Sequence, residues 1–135
     1  MIHQYNIILT PYPRGFHHIT DQILNKIKLP KTGLANLFLQ HTSAGLTINE
    51  NADPTVRIDL ESSFNQIVKE NEPFYRHTIE GPDEIPARIK SSLVGSSITI
   101  PITNGVLNLG TWQGIYLCEF RNNGGPRKII ITIYE

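Results

Sequence analysis

The sequence contains a single cysteine, Cys118, and therefore cannot form an intramolecular disulfide. It also lacks an excess of either charge, because twelve basic and twelve acidic side chains cancel. This balance excludes the global basic field that recruits nucleic acid or an anionic membrane. No apolar run approaches the ~20 residues of a membrane-spanning helix, and the first residues lack the pattern of a signal peptide. These absences predict a cytoplasmic protein with no nucleic-acid and no membrane partner.

What the sequence does contain is the composition of a folded domain. Hydrophobic residues make up 39% and charged residues 18% of its 135 positions. A chain of this length fits one domain and buries a substantial core. No linker, low-complexity segment or internal repeat divides it. We therefore predict a single domain over residues 1–135.

Alternating apolar residues predict about seven strands, and the last third of the chain is all strand. Residues 33–42 and 45–50 are predicted to be two strands joined by a tight Ser-Ala-Gly turn. Asn104-Gly105 is a strong signal for a two-residue hairpin. Because strands and helices do not alternate regularly, the pattern predicts an α+β fold with mostly antiparallel sheets.

Helical patterns occur in three segments, residues 20–30, 53–70 and 87–95. Thr20 is predicted to cap the first helix. Asp53 is predicted to cap the second, with Pro54 in its first turn. The polar stretch 71–86 before the third helix is predicted to be a loop, and its length suggests a function.

Polar side chains crowd the segment between the end of one predicted strand and the start of the second helix. They are His41, Thr42, Ser43, Asn49, Glu50, Asn51, Asp53 and Arg57. The first turn of a helix presents unpaired N–H groups, which favour an anion. The alternative is that Asp53 only caps the helix and that the asparagines satisfy turns.

A second polar group lies in the predicted loop and the helix after it. It comprises His77, Glu80, Asp83, Glu84, Arg88 and Lys90. Two histidines far apart in sequence, His41 and His77, each stand beside carboxylates and can converge on a divalent metal. Neither has a local partner at ligand spacing, so a merely solvated loop is the alternative.

A third element, Trp112 and Gln113, follows Gly110 and Thr111 and interrupts two otherwise regular strands. Glycine in such a place marks a bulge or a close backbone approach. Gln113 is predicted to point into a cleft. For Trp112, a place in the core and a role as a ligand platform both remain open.

Four stretches of the sequence resemble the YjbQ-like family, also called the secondary thiamine-phosphate synthase family. They are RGFHHITDQI, QHTSAGLTINENADPTVRIDLE, YRHTIEGPDEIPARIKSSLVG and GTWQGIYLCEFRNNGGPRKIII. The resemblance runs from about residue 5 to residue 134. It implies an α+β fold in which mostly antiparallel sheets pack as a sandwich with about three outer helices. It also implies assembly as a homotrimer.

Carried over by position, the resemblance implies a set of polar site residues. These are His41, Thr42, Ser43, Glu50, Asn51, Asp53, Asp59, His77, Lys90, Trp112 and Gln113. Relatives often have histidine where this chain has Arg88, and often another where it has Ile58. If the first of these is a metal ligand in relatives, a three-histidine site cannot form here. A metal would then need a carboxylate or a neighbouring subunit.

The resemblance implies a weak or secondary thiamine phosphate synthase activity, which couples a pyrimidine diphosphate to a thiazole phosphate. We expect a divalent metal, zinc or magnesium, on His41 and His77 with Glu50 or Asp53. The expected substrate-binding residues are Thr42, Ser43, Asn51, Arg57, Arg88, Lys90, Trp112 and Gln113. Two alternatives remain open: a non-catalytic trimer that binds a phosphorylated metabolite or a metal, and a metal-dependent hydrolase.

Overall fold

The computed structural model describes residues 1–135 and contains eight strands and three helices. The strands are β1 (Ile2–Leu9), β2 (Gly15–His18), β3 (Thr32–Leu39), β4 (Ala44–Glu50), β5 (Ser97–Thr103), β6 (Val106–Leu107), β7 (Gln113–Glu119) and β8 (Arg127–Tyr134). The helices are α1 (Thr20–Leu24), α2 (Pro54–Ile67) and α3 (Glu84–Val94). None of them is long and apolar enough to cross a membrane.

All strand pairs are antiparallel and form two sheets. A five-stranded sheet has the order β1-β8-β3-β5-β6, and a three-stranded sheet has the order β2-β7-β4. The expected α+β fold with antiparallel sheets and three helices is thereby confirmed. Successive side chains of a strand point to opposite faces, so the middle strand of the small sheet, β7, can pack against a separate layer on each side.

The two faces of β7 contact two different cores. Ile115 and Leu117 face the larger core, which lies between the two sheets. Tyr116 and Cys118 face a smaller core, where Phe120 meets partly buried side chains of α2. The small sheet is therefore covered by the large sheet on one side and by α2 and α3 on the other. Burial raises the pKa of the Cys118 thiol, which makes it a packing group.

The outer face of the large sheet exposes several large apolar side chains. In one cross-strand row, Ile2 lies opposite Tyr134, which lies opposite Leu34, which lies opposite Pro101. Ile2 and Leu34 are exposed, and Phe38 two rows away is exposed as well. An apolar row on an open sheet face is typical of a surface that another molecule covers.

The predicted cap of α2 and the predicted hairpin turn are confirmed. The Asp53 carboxylate accepts the Thr55 backbone N–H at 2.9 Å, and Pro54 occupies the first helical position of α2. Asn104 and Gly105 both have positive φ, of 53° and 79°, and join β5 to β6 as the hairpin signal predicts.

Three element predictions were wrong. Thr20 does not cap α1, because its hydroxyl binds His18 and the Ile115 N–H, and the helix ends at Leu24. α3 begins at Glu84, before Pro86, because proline is tolerated in the first turn of a helix. The strands β3 and β4 do not form a hairpin, since they belong to different sheets.

Candidate functional site

The chain crosses from the large sheet to the small sheet through residues 40–43, and hydrogen bonds to two other segments, β8 and α3, hold this crossing. The His41 Nε2 accepts the Lys128 backbone N–H at 2.8 Å. The Thr42 hydroxyl accepts a hydrogen bond from Arg88 Nη1 at 2.6 Å. The hydroxyl of Ser43 accepts one from Arg127 Nη2 at 3.1 Å. The three consecutive polar residues therefore fix the position of the crossing.

His41 is held in one protonation state by this arrangement. Burial lowers its pKa, and the nearby positive charge of Arg127 lowers it further. A nitrogen that accepts a backbone N–H has no proton of its own, so the proton of a neutral ring is on Nδ1. The lone pair of Nε2 is then engaged by the Lys128 N–H, and a cation at that nitrogen would first have to displace it.

Helix α3 carries the most strongly connected group of polar side chains. Glu84, at its first position, accepts a hydrogen bond on Oε1 from His77 Nε2 at 2.7 Å. The same oxygen accepts Arg88 Nε at 3.1 Å and Arg88 Nη2 at 2.8 Å. Arg88 reaches Thr42 with its remaining nitrogen because α3 lies close to β4. A Cβ atom on Gly45 would lie 2.9 Å from Val94, so only glycine permits this approach.

The carboxylate of Glu84 is ionised although it is fully buried. Burial by itself raises its pKa, but hydrogen bonds from Arg88 and His77 outweigh that effect and lower the pKa from 4.5 to about 2. The second oxygen, Oε2, is buried and has no hydrogen-bond partner. By contrast, 57% of the His77 side chain and 40% of the Arg88 side chain are exposed. A buried anion therefore orients two groups that solvent reaches.

The best arrangement for a metal ion in this chain involves His77 but not His41. One ligand atom each from His77, Glu80 and Glu84 lies within 4.8 Å of the others. A nitrogen and two carboxylate oxygens are a suitable donor set for zinc, and the unpartnered Glu84 Oε2 is free to take part. The guanidinium of Arg88 already binds the other Glu84 oxygen, and its positive charge disfavours the binding of a metal cation beside it.

Lys90 lies on a different face of α3 from Arg88, because residues two apart in a helix do not face each other. Its side chain is 1% exposed, and its Nζ donates to Asn65 at 2.6 Å. The ammonium also lies 5.8 Å from the ring centre of Phe120. Burial lowers the pKa of Lys90, and the charge of Arg14 lowers it further. The structure therefore does not bring Lys90 to the group around Glu84.

The other predicted site residues gather at the opposite end of β4. Glu50 accepts the Asp53 backbone N–H on its carboxylate at 3.3 Å. The Asn51 N–H donates to the Trp112 carbonyl at 2.8 Å, and its side-chain amide donates to the Gln113 carbonyl at 3.4 Å. Most of these bonds join backbone to side chain, and they fix the start of α2 against the segment before β7.

Trp112, Gln113 and Arg57 complete this second group. Trp112 is 63% exposed and is therefore not a core residue. Gln113 uses its side-chain oxygen to accept the Gly110 N–H at 2.8 Å. Arg57 lies with its guanidinium 6.0 Å from the ring centre of Tyr116, and its Nε is buried without a partner. Asp59 is exposed on α2.

The two groups are separated by the length of β4. Thr42 and Ser43 precede this seven-residue strand, and Asn51 follows it. At about 3.3 Å per residue the strand spans roughly 20 Å. One chain therefore presents two separate polar groups, and the predicted site residues do not meet in a single pocket within it.

Sequence reasoning missed the buried ion pair that supports the crossing. Arg127 Nε donates to Glu119 at 2.8 Å, and both side chains are buried. A signal was present, because Glu119 follows Ile115 and Leu117 at alternate positions of β7 and so faces the same core. A charged residue in such a position requires a partner.

The comparisons with known proteins agree with the fold. Residues 5–135 match the family described as UPF0047 protein YjbQ-like. The chain is 54% identical over 136 residues to UPF0047 protein YjbQ of Salmonella typhimurium, and 98% of each chain is covered. It is 42% identical over 133 residues to a UPF0047 protein of Synechocystis, covering 97% of this chain and 90% of that one. The crystal structure of a conserved hypothetical protein from Thermus thermophilus has a TM-score of 0.86 at 32% identity, covering 96% of this chain and 99% of that one.

Proposed function

The chain belongs to the YjbQ-like UPF0047 family, and from this premise we propose that it is an enzyme acting on a small phosphorylated metabolite. The proposed reaction centre is the group formed by Thr42, His77, Glu84 and Arg88. The observation that carries the proposal is the single buried oxygen, Glu84 Oε1, on which both His77 and Arg88 are held.

His77 is suited to proton transfer in this arrangement. A buried carboxylate that holds one ring nitrogen fixes the orientation of the imidazole and favours one tautomer. Since Nε2 is on Glu84, Nδ1 is the nitrogen left for a substrate. The exposed side chain gives a substrate access to it. His77 is therefore the proposed general acid or base.

Arg88 is suited to binding a phosphate. A guanidinium has five N–H donors, and here Nε, Nη1 and Nη2 each spend one on Glu84 or Thr42. One N–H on each Nη nitrogen remains, and a phosphate accepts such pairs of donors. The bond to Glu84 holds the guanidinium in place before the ligand arrives, which lowers the entropy lost on binding.

The first reaction to test is the coupling of a pyrimidine diphosphate to a thiazole phosphate, as the sequence resemblance implies. In that reaction the bond between the pyrimidine's substituent carbon and the diphosphate oxygen breaks, its electron pair leaves on pyrophosphate, and the lone pair of the thiazole nitrogen forms the new carbon–nitrogen bond. Arg88 would neutralise the growing charge, and His77 would supply a proton. We expect turnover by the wild type and its loss in His77→Gln and Glu84→Gln. Absence of turnover by the wild-type protein with both precursors would contradict this reaction.

Phosphate binding is measured separately from turnover by calorimetric titration of pyrophosphate. We expect Arg88→Ala to weaken binding by about 1.5–3 kcal/mol, the scale of hydrogen bonds to a charged group. Arg76→Ala is the matched control, because Arg76 is an exposed arginine next to His77 that forms no side-chain hydrogen bond with another residue. Equal affinities for the wild type and both variants would remove Arg88 from the proposed site.

The proposal includes assembly as a homotrimer in the cytoplasm, with sites near the subunit boundaries. The exposed apolar row on the outer face of the large sheet supports an assembly. The separation of roughly 20 Å between the two polar groups of one chain supports it too, because a neighbouring subunit can bring one group to the other. Light scattering of the purified protein is expected to give the mass of three chains, and a monomer at micromolar concentration would contradict the assembly.

A metal-dependent hydrolase is the second candidate, and the close approach of His77, Glu80 and Glu84 favours it. A bound zinc would supply Lewis-acid chemistry there. We expect His77→Ala to lower the zinc content of the purified protein, and His41→Ala to leave it unchanged because the Lys128 N–H occupies His41. Arg88→His is expected to raise zinc affinity, since it removes the competing positive charge. Zinc content independent of both His77 and Arg88 would eliminate this candidate.

A further inference from the structure

A cleft of about 300 Å³ opens beside His77, between the segment 71–78 and the start of α3. Its lining includes Asn71, Glu72, Tyr75 and Thr78, together with Pro82 and Ile85. A second cleft of about 390 Å³ shares Glu72 and Tyr75 and continues over the exposed side chains Ile67 and Phe74. The two clefts therefore meet along one residue pair, Glu72 and Tyr75.

The charge of the first cleft is negative. Glu72 is its single carboxylate, and its lining contains no lysine and no arginine. Glu72 forms no salt bridge, whereas Glu80 and Glu84 close by are both paired with arginine. An unpaired carboxylate in a concave, half-buried place attracts a cation.

The aromatic side chain beside Glu72 adds a flat surface. Tyr75 is fixed, because its hydroxyl donates to the Lys69 carbonyl at 2.7 Å and its ring meets Phe74 edge-on with centroids 5.0 Å apart. The face of an aromatic ring attracts cations and stacks with flat groups. Burial raises the pKa of Tyr75, and the charge of Glu72 raises it further, in agreement with a negative charge next to this ring.

We propose that this cleft binds an organic cation, a protonated amine or amidine on a flat ring, with the ring at Tyr75 and the positive group at Glu72. The inference rests on the proposed function, because this group would be the part of the substrate that carries no phosphate. Such a ligand lies beside His77, whose free nitrogen is Nδ1. Arg88 does not line the cleft, so the phosphate would bind outside it.

The test uses three ligands of the same size that differ in charge: benzamidine, benzamide and benzoate. Each is titrated into the wild-type protein while amide signals are followed by nuclear magnetic resonance. We expect benzamidine to bind at least about fivefold more tightly than benzamide, and benzoate not to bind, because of the carboxylate. The shifted signals are expected to include Glu72, Tyr75 and His77.

Variants locate the site. Glu72→Gln is expected to weaken the binding of benzamidine at least about fivefold and to leave the binding of benzamide unchanged, because only the cation interacts with the lost charge. Asp21→Asn, on the exposed first turn of α1, removes one negative charge elsewhere and is expected to change the affinity for neither ligand. Tyr75→Leu is expected to weaken both ligands, and Tyr75→Phe, which keeps the ring, to retain them.

Three results would overturn the inference: benzoate or benzamide binding as tightly as benzamidine, Glu72→Gln leaving benzamidine unchanged, or no saturable benzamidine binding. These measurements involve neither phosphate nor turnover. If benzamidine fails while pyrophosphate binding depends on Arg88, only the assignment of this cleft falls. If benzamidine binds through Glu72 while turnover and pyrophosphate binding are absent, the proposed function falls and the cleft remains a cation site.

Discussion

Replacement of Arg127 by methionine tests whether the buried ion pair holds the crossing between the two sheets. Arg127 and Glu119 are 3% and 0% exposed, so the substitution leaves a carboxylate buried without its cation. Its remaining hydrogen bond comes from the Arg121 N–H at 3.3 Å. Breaking a buried pair in this way costs about 3–5 kcal/mol. For a chain of this size that lowers Tm by roughly 10–20 °C.

The measurement is thermal and urea unfolding of Arg127→Met at the same protein concentration as the wild type, because assembly makes stability depend on concentration. The double variant Glu119→Gln with Arg127→Met is expected to be more stable than Arg127→Met alone, since it buries no unpaired charge. Arg76→Met, which removes an exposed arginine, is the control and is expected to change stability by less than about 0.5 kcal/mol.

Two results would refute this reasoning. One is a decrease of less than about 1 kcal/mol in the free energy of unfolding of Arg127→Met. The other is a decrease in the double variant that equals the sum of the decreases in Arg127→Met and Glu119→Gln. A separate readout is the pKa of His41, which Arg127 lowers by its charge. In Arg127→Met that pKa is expected to rise, and titration of the His41 ring signal measures it.

Three further predictions concern single side chains. Gly33→Ala is expected to lose about 1–3 kcal/mol or more, because a Cβ atom there overlaps the Tyr134 backbone carbonyl; an unchanged urea midpoint would contradict this. The pKa of His41 is lowered in the folded protein, so the neutral His41 ring contributes fully to stability above pH 6.5. That contribution is lost as the pH falls below that value. His41→Gln keeps an acceptor for the Lys128 N–H and is expected to flatten this loss, which urea midpoints across the range measure. The pKa of Glu84 is also lowered, so its contribution to stability is present above about pH 4.5 and is lost toward pH 2. If the stability of Glu84→Gln fell with decreasing pH as steeply as that of the wild type, this prediction would be contradicted.

Local signals in the sequence were sufficient for the start of α2 and for the hairpin at Asn104-Gly105. Both depend on residues within a few positions of one another: Asp53 accepts the N–H of Thr55, and the two hairpin residues adopt positive φ themselves. Thr20 fails as a cap for the opposite reason. Its hydroxyl accepts the Ile115 N–H from a strand 95 positions away, and no local pattern reports that strand.

The candidate site follows the same division. The residue types at His77, Glu84 and Arg88 were evident, and the spacing of Glu84 and Arg88 predicts their contact on a helix. His77, and not His41, contacts Glu84 because of the path of the loop before α3, and that path is not evident from the sequence. The separation of Thr42 from Asn51 comes from β4 itself, which lies between them and was predicted as a strand, so this part of the site geometry was available from the sequence.

The position of β4 between the two polar groups has a consequence for the genetics of this protein. Substitutions more than about 10 Å apart with no shared partner have nearly additive effects, and β4 spans about 20 Å. Within one chain, variants at Thr42 and at Asn51 are therefore expected to be independent. Strong epistasis between them would reveal a contact that one chain does not contain, so a table of pairwise variant effects reports how the subunits are arranged.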